Sequence, residues 1–164
     1  MRFFISNEMN NNHLLKIIIA FTLSFFLFLW ISNLLLYLQI GFSYQSVVEY
    51  YMGSEESFRS PKSYIGLLEE SHFHFFSMAI ILVTLNHLIL FAPIKNAYKL
   101  ALILSSFLSA LGDISGGWLI RYVSPQFAYL KIASVIVLQL SLLLLILVAI
   151  MFVYSKGKRA LYSR

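Results

Sequence analysis

Three of the four histidines, His72, His74 and His87, lie in one segment that is otherwise as apolar as a membrane span. Ionisable side chains are costly in a bilayer, so their first reading is a ligand set, a proton path or a buried polar contact. Successive helical residues turn by about 100°, which points His72 and His74 to nearly opposite faces. His72, Phe76, Ala79, Val83 and His87 share one face, with the two imidazoles roughly 22 Å apart along the axis. Each could ligate a haem b near one membrane surface, with Asn86 orienting His87. The axial partner is the difficulty. The other apolar segments contain no histidine, and His13 sits shallower than His87 by about two turns. A bis-histidine haem would therefore need a bent first helix, a ligand from another subunit, or methionine. His74 and Met78, at i and i+4, pair an imidazole with a thioether, a donor set suited to copper, Cu(I) above all. The plain alternative for Met78 is apolar filler.

A second set of polar residues runs from Ser105 to Arg121. Ser105, Ser109, Gly112 and Gly116 form a stripe of small residues of the kind that lets membrane helices approach closely. Asp113 lies near mid-membrane and should face the bundle. Arg121 falls near the level of Glu69, Glu70, His72 and His74. The expected cluster pairs Arg121 with a glutamate and hydrogen-bonds Asp113 to a histidine or a serine. Such a cluster is either a lock fixing helix register or a proton relay or ligand pocket. The lock is favoured, because polar contacts between membrane helices average about 0.6 kcal/mol. Asn33, Thr84 and Gln139 are read as ordinary cross-helix bonding groups.

The elements that must hold these residues follow from composition. Of 164 residues, 60% are hydrophobic and 12% charged, and there is no cysteine. A soluble domain of this size could not hide so much apolar surface. Disulfides, thiolate metal sites and thiol nucleophiles are excluded. Four stretches can cross a bilayer core of about 30 Å as helices: 17–38, 73–92, 100–120 and 132–154. The first is too long for a signal h-region and no small-residue cleavage site follows, so it is expected to be retained. Pro61, Pro93 and Pro125 fall at or outside span ends. In the connection 41–66, Ser43 should cap a short amphipathic helix carrying Tyr44, Val47, Val48 and Tyr51, ended by Gly53. Ser60-Pro61 should open the helix leading into the second span.

Basic residues set the orientation. With the N-terminus inside, Arg2, Lys16, Lys95, Lys99, Lys156, Lys158, Arg159 and Arg164 are cytoplasmic, against Arg59, Lys62, Arg121 and Lys131 outside. Eight against four places both termini in the cytoplasm. The tail Lys156–Arg159 reads as a stop-transfer anchor. The net charge of +5 sits at span ends rather than in a basic groove, so no nucleic-acid partner is expected. Phosphate loops, nucleophile elbows and His-Glu-x-x-His are absent. No catalytic constellation emerges, and the chain is not expected to be an enzyme.

The run Phe58-Arg59-Ser60-Pro61-Lys62-Ser63-Tyr64, with Leu67-Leu68-Glu69 and His72-Phe73-His74-Phe75-Phe76-Ser77-Met78, resembles a group of uncharacterised bacterial four-span inner-membrane proteins. Trp118–Pro125 and Phe127–Lys131 are similar to them as well. The likeness covers most of the chain. It implies a bacterial inner (cytoplasmic) membrane location and no established activity. A weaker likeness, to small membrane cytochromes b and copper-resistance membrane proteins, implies haem or copper held by histidines.

The expectation is an all-α integral membrane four-helix bundle, one domain over residues 1–164, in a lipid bilayer as a homodimer or within a larger complex. The leading functional reading is a haem- or metal-binding accessory subunit for electron transfer in a membrane redox complex. His72, His74 and His87 would be cofactor ligands, His74 and Met78 the copper set, and Asp113 and Arg121 would balance charge. The alternative is a non-catalytic scaffold or assembly subunit whose buried polar residues fix packing. A proton-coupled carrier using Asp113 with His74 ranks third.

Overall fold

The computed structural model describes residues 13–154, in five α-helices and one short 3₁₀ turn. Helix α1 (His13–Ile40) ends where Gly41 adopts φ +93°, and its amide donates to Tyr37 O at 2.8 Å. The short helix α2 (Tyr44–Met52) follows at once. The Ser43 hydroxyl accepts the Ser46 amide, and Gly53, at φ +81°, closes the helix. Gly53 cannot be replaced without strain, because a Cβ there would meet the Arg59 carbonyl and the Pro61 ring. The amphipathic helix expected over this stretch is thus present with the expected caps.

Helix α3 (Tyr64–Leu90) is capped by Ser63, which accepts the Gly66 amide at 3.0 Å. The cap is not Ser60, as Ser60-Pro61 suggested. The backbone stays extended past Pro61, because the Lys62 amide donates to Tyr51 O and ties this segment to α2. Pro93 disfavours helix in the residue before it and marks the turn into α4 (Asn96–Tyr122). Lys99 Nζ satisfies the orphan carbonyl of Leu90 at 2.6 Å, pinning the start of α4 to the end of α3. The 3₁₀ turn Pro125–Phe127 then leads into α5 (Ala128–Tyr154).

The helices α1, α3, α4 and α5 are long and apolar enough to cross a membrane, the last counted from Pro125. The molecule is an all-α, four-helix membrane bundle. Among the described residues no strand forms beyond one isolated bridge between Ser54 and Arg59. Helix α5 is the hub, with α4 packed most extensively against it and α1, α2 and α3 also in contact. Two cores result. The larger, built around Leu85, Ile89, Leu142, Leu145 and Ala149, fills the body of the bundle. The smaller joins Val47 and Tyr51 of α2 to Leu67, Ile120 and Ala128 at one end. Phe21, Phe25 and Phe28 of α1 face outward, and bilayer contact is what makes such exposure tolerable.

Candidate functional site

The small residues of α4 determine where polar chemistry is buried. Gly116 lies under the stem of Lys131, and a Cβ there would come within 3.0–3.3 Å of that side chain and its backbone. Gly112 faces Ser134, and Ser105 shares a 3.0 Å hydrogen bond with Ser141. This close approach brings Lys131 of α5 onto Asp113 of α4. The ammonium lies 2.6 Å from Asp113 Oδ1 and donates to the Asp113 carbonyl at 2.6 Å. The Tyr37 hydroxyl of α1 donates to the same Oδ1 at 2.5 Å. The side chains of Lys131 and Asp113 are 3% and 1% exposed. The ammonium also lies 5.6 Å and 5.7 Å from the ring centroids of Tyr37 and Tyr51, close enough for cation–π attraction.

His74 of α3 completes the group. Its Nδ1 is 3.9 Å from Asp113 Oδ2, an oxygen with no hydrogen-bond partner among the described residues. Nearer the surface, Lys62 Nζ reaches Glu70 at 3.4 Å and sits over the Tyr50 ring. Burial pulls Lys62 down, but the adjacent Tyr50 hydroxyl and the Glu70 charge more than reverse this and hold it above the usual lysine value. The Tyr51 phenol is pushed well above its ordinary value, chiefly by burial and then by the charges of Glu70 and Asp113. Trp118 Nε1 donates to Ser71 Oγ at 2.6 Å and closes this end of the bundle.

The residues singled out by the sequence are distributed unevenly about this centre. His72 is exposed on α3, beside the Phe73 ring. His87 is exposed near the opposite end of the same helix, its ring 5.4 Å from that of Phe91. His74 turns inward and is half-buried, and Met78, one turn on, is buried in the apolar core. Glu69 is exposed and Glu70 half-buried. The expected pairing of Arg121 with a glutamate does not occur. Arg121 Nε donates to the Lys62 carbonyl at 3.1 Å and its guanidinium lies over Tyr122, while Glu70 takes Lys62 instead. Asp113 is held by a lysine and a tyrosine rather than by a histidine or serine hydrogen bond. Among the described residues no three His, Asp or Glu side chains are grouped to hold a metal ion.

A family model described as a transmembrane helical domain, Aq_1264_TM, matches residues 41–160. The chain belongs to this family. The match begins just after α1, so the family's segment includes Asp113, Lys131 and His74 but not Tyr37. No curated protein and no solved structure matches the chain. Membership agrees with the resemblance to four-span membrane proteins, whereas the weaker likeness to cytochromes b is not found in these comparisons.

Two members of the site escaped sequence reasoning. In sequence Lys131 reads as an outer charge just ahead of a span beginning at 132, and Tyr37 falls near the end of the first span with nothing to mark it as a site residue. Lys131 is instead a turn inside α5 and faces the bundle. A signal for this existed: Lys131, Ser134, Val135 and Leu138 share one helix face, and all four are buried. Gly116 and Gly117, one turn beyond Asp113 on α4, mark the space that face occupies.

Proposed function

We propose that this protein is a non-catalytic scaffold or assembly subunit of a bacterial cytoplasmic membrane, held in one helix arrangement by its buried Lys131–Asp113–Tyr37 cluster. The carrying observation is that one carboxylate joins three helices, accepting from Lys131 of α5 and Tyr37 of α1 through a single oxygen. A polar contact satisfied inside the bundle specifies register, which a bundle of interchangeable leucines does poorly. The haem- or copper-carrying reading receives less support. His72 and His87 point away from the bundle at separate levels, and His74 has Met78 and Asp113 near it rather than a second imidazole. Ligation by His72, His74 or His87 would need donors from another subunit.

The scaffold reading is tested by comparing single and paired replacements. Asp113→Asn or Lys131→Met alone leaves a buried group unpaired and should cost about 3–5 kcal/mol. Asp113→Leu together with Lys131→Met should recover most of that stability but, with register no longer specified, weaken association with any co-purifying membrane complex. Association unchanged in that double variant, or a Soret band in the purified native protein, would overturn the reading.

A further inference from the structure

We propose that the ends of α3 and α4 nearest α2 bind an anionic phospholipid, its phosphate on Arg121 with Lys62 and Arg59 beside it, and its acyl chains against the aromatic side chains below. Helix α3 begins at Tyr64 and α4 ends at Tyr122, so the antiparallel pair brings both ends to one membrane surface, the level of the headgroups. Lys62 stands just ahead of α3 and Arg121 in the last turn of α4, and Arg121 Nε donates to the Lys62 carbonyl at 3.1 Å. Lys62 Nζ lies 4.4 Å from the Tyr50 ring centroid, and the Arg59 guanidinium 5.7 Å from the same centroid. Three cations are thus gathered at one corner of the bundle.

Their charge is only partly cancelled. Glu70 pairs with Lys62 at 3.4 Å, and among the described residues neither Arg59 nor Arg121 makes an ion pair. A guanidinium carries five N–H donors in a planar fork that matches two phosphate oxygens at once. Arg121 spends Nε on the Lys62 carbonyl, and its guanidinium rests 5.5 Å from the Tyr122 ring centroid. The fork is therefore held from two sides, while among the described residues its Nη donors make no hydrogen bond. A donor set fixed in this way loses little freedom when an anion arrives.

Beneath the cations lies an aromatic wall. Tyr64 meets Trp118 edge-on at 5.3 Å between ring centroids, and Trp118 stacks on Tyr122 at 5.8 Å. The indole is fixed by its bond to Ser71, while Tyr64 and Tyr122 are exposed, as are Ile65 and Leu68 of α3. Rings with an apolar body and a polar edge suit the boundary between headgroups and acyl chains. A soluble anion would use the cations and leave this wall bare. A phospholipid engages both, and the uncancelled arginines favour one with net negative charge.

The test places the chain in phosphatidylcholine vesicles carrying a minor share of brominated phosphatidylglycerol, or the same share of brominated phosphatidylcholine, and reads tryptophan fluorescence. The chain has two tryptophans, so Trp30→Phe leaves Trp118 alone. Brominated phosphatidylglycerol should quench more than brominated phosphatidylcholine in the unaltered chain and in Trp30→Phe. Equal quenching by the two lipids in the unaltered chain overturns the proposal without depending on any variant's folding, and a preference confined to Trp30 overturns it as well. Arg121→Gln should lower the lipid preference about fivefold, the worth of one basic residue at an anionic membrane surface. Arg59→Gln, in the exposed α2–α3 connection, should lower it too, and a preference unchanged in both variants sinks the idea. Inorganic phosphate, set against chloride at equal ionic strength, separates the two sources of phosphate. Quenching by the anionic lipid should survive it equally in both salts, and selective loss in phosphate would make the corner a soluble-anion site instead.

Discussion

A lysine and an aspartate taken out of water each lose several kcal/mol of hydration, and attraction offsets that loss only where geometry is good and remaining polar atoms are satisfied. Lys131 and Asp113 meet the first condition at 2.6 Å and the second only in part, with Tyr37 on the shared Oδ1 and Oδ2 facing His74 at 3.9 Å. Tyr37→Phe should therefore destabilise the bundle by about 1.5–3 kcal/mol, the usual worth of a hydrogen bond to a charged group. Reversible unfolding in mixed micelles would measure it. Tyr51 gives a prediction in pH. Its phenol is held above its ordinary value when folded, so its contribution is complete below the unfolded value of about 10 and is lost as pH rises through the folded value. Lys62 is shifted in the same direction and adds to the same trend. The thermal midpoint should be insensitive to these groups up to about pH 9 and fall above about pH 10. Tyr51→Phe should flatten that fall, and an equally steep fall in the variant would remove Tyr51 as its cause.

Among the elements, the α4–α5 interface separates two glycines that a sequence pattern treats alike. A Cβ at Gly112 would meet the hydroxyl of Ser134, which can rotate away. A Cβ at Gly116 would meet the stem and backbone of Lys131, which cannot yield without disturbing the ion pair. Gly116→Ala should cost about 1–3 kcal/mol, as overpacking does, and Gly112→Ala distinctly less. The same unfolding assay would show the order. This interface also explains what could be read in advance. The helices, their caps at Ser43 and Gly53, and the small-residue stripe follow from local chemistry and periodicity. The partner of Asp113 does not, because α4 and α5 could be matched in several registers and only packing selects one. Lys131, three residues into its helix, looks in sequence like any flanking charge. Ser60 looks like a cap because Pro61 follows it, and the backbone bond from Lys62 to Tyr51 outweighs that local cue.

For the whole molecule, the burial of Lys131 changes the charge balance that sets orientation. Removing it from the surface count leaves Arg59, Lys62 and Arg121 on the α2 side, against the eight basic residues assigned to the other side by sequence. Five of those eight, Arg2 and the four in the C-terminal tail, lie outside the described residues. A cation neutralised inside the bundle does not act as a flanking charge, and on this balance we expect both termini in the cytoplasm. The natural absence of cysteine makes this directly measurable. A single Phe58→Cys, at a position 96% exposed in the α2–α3 connection, should react with an impermeant maleimide from outside the intact membrane. Tyr98→Cys, exposed at the start of α4, should react only after the membrane is opened. The opposite labelling pattern would invert the orientation, placing α2 toward the cytoplasm.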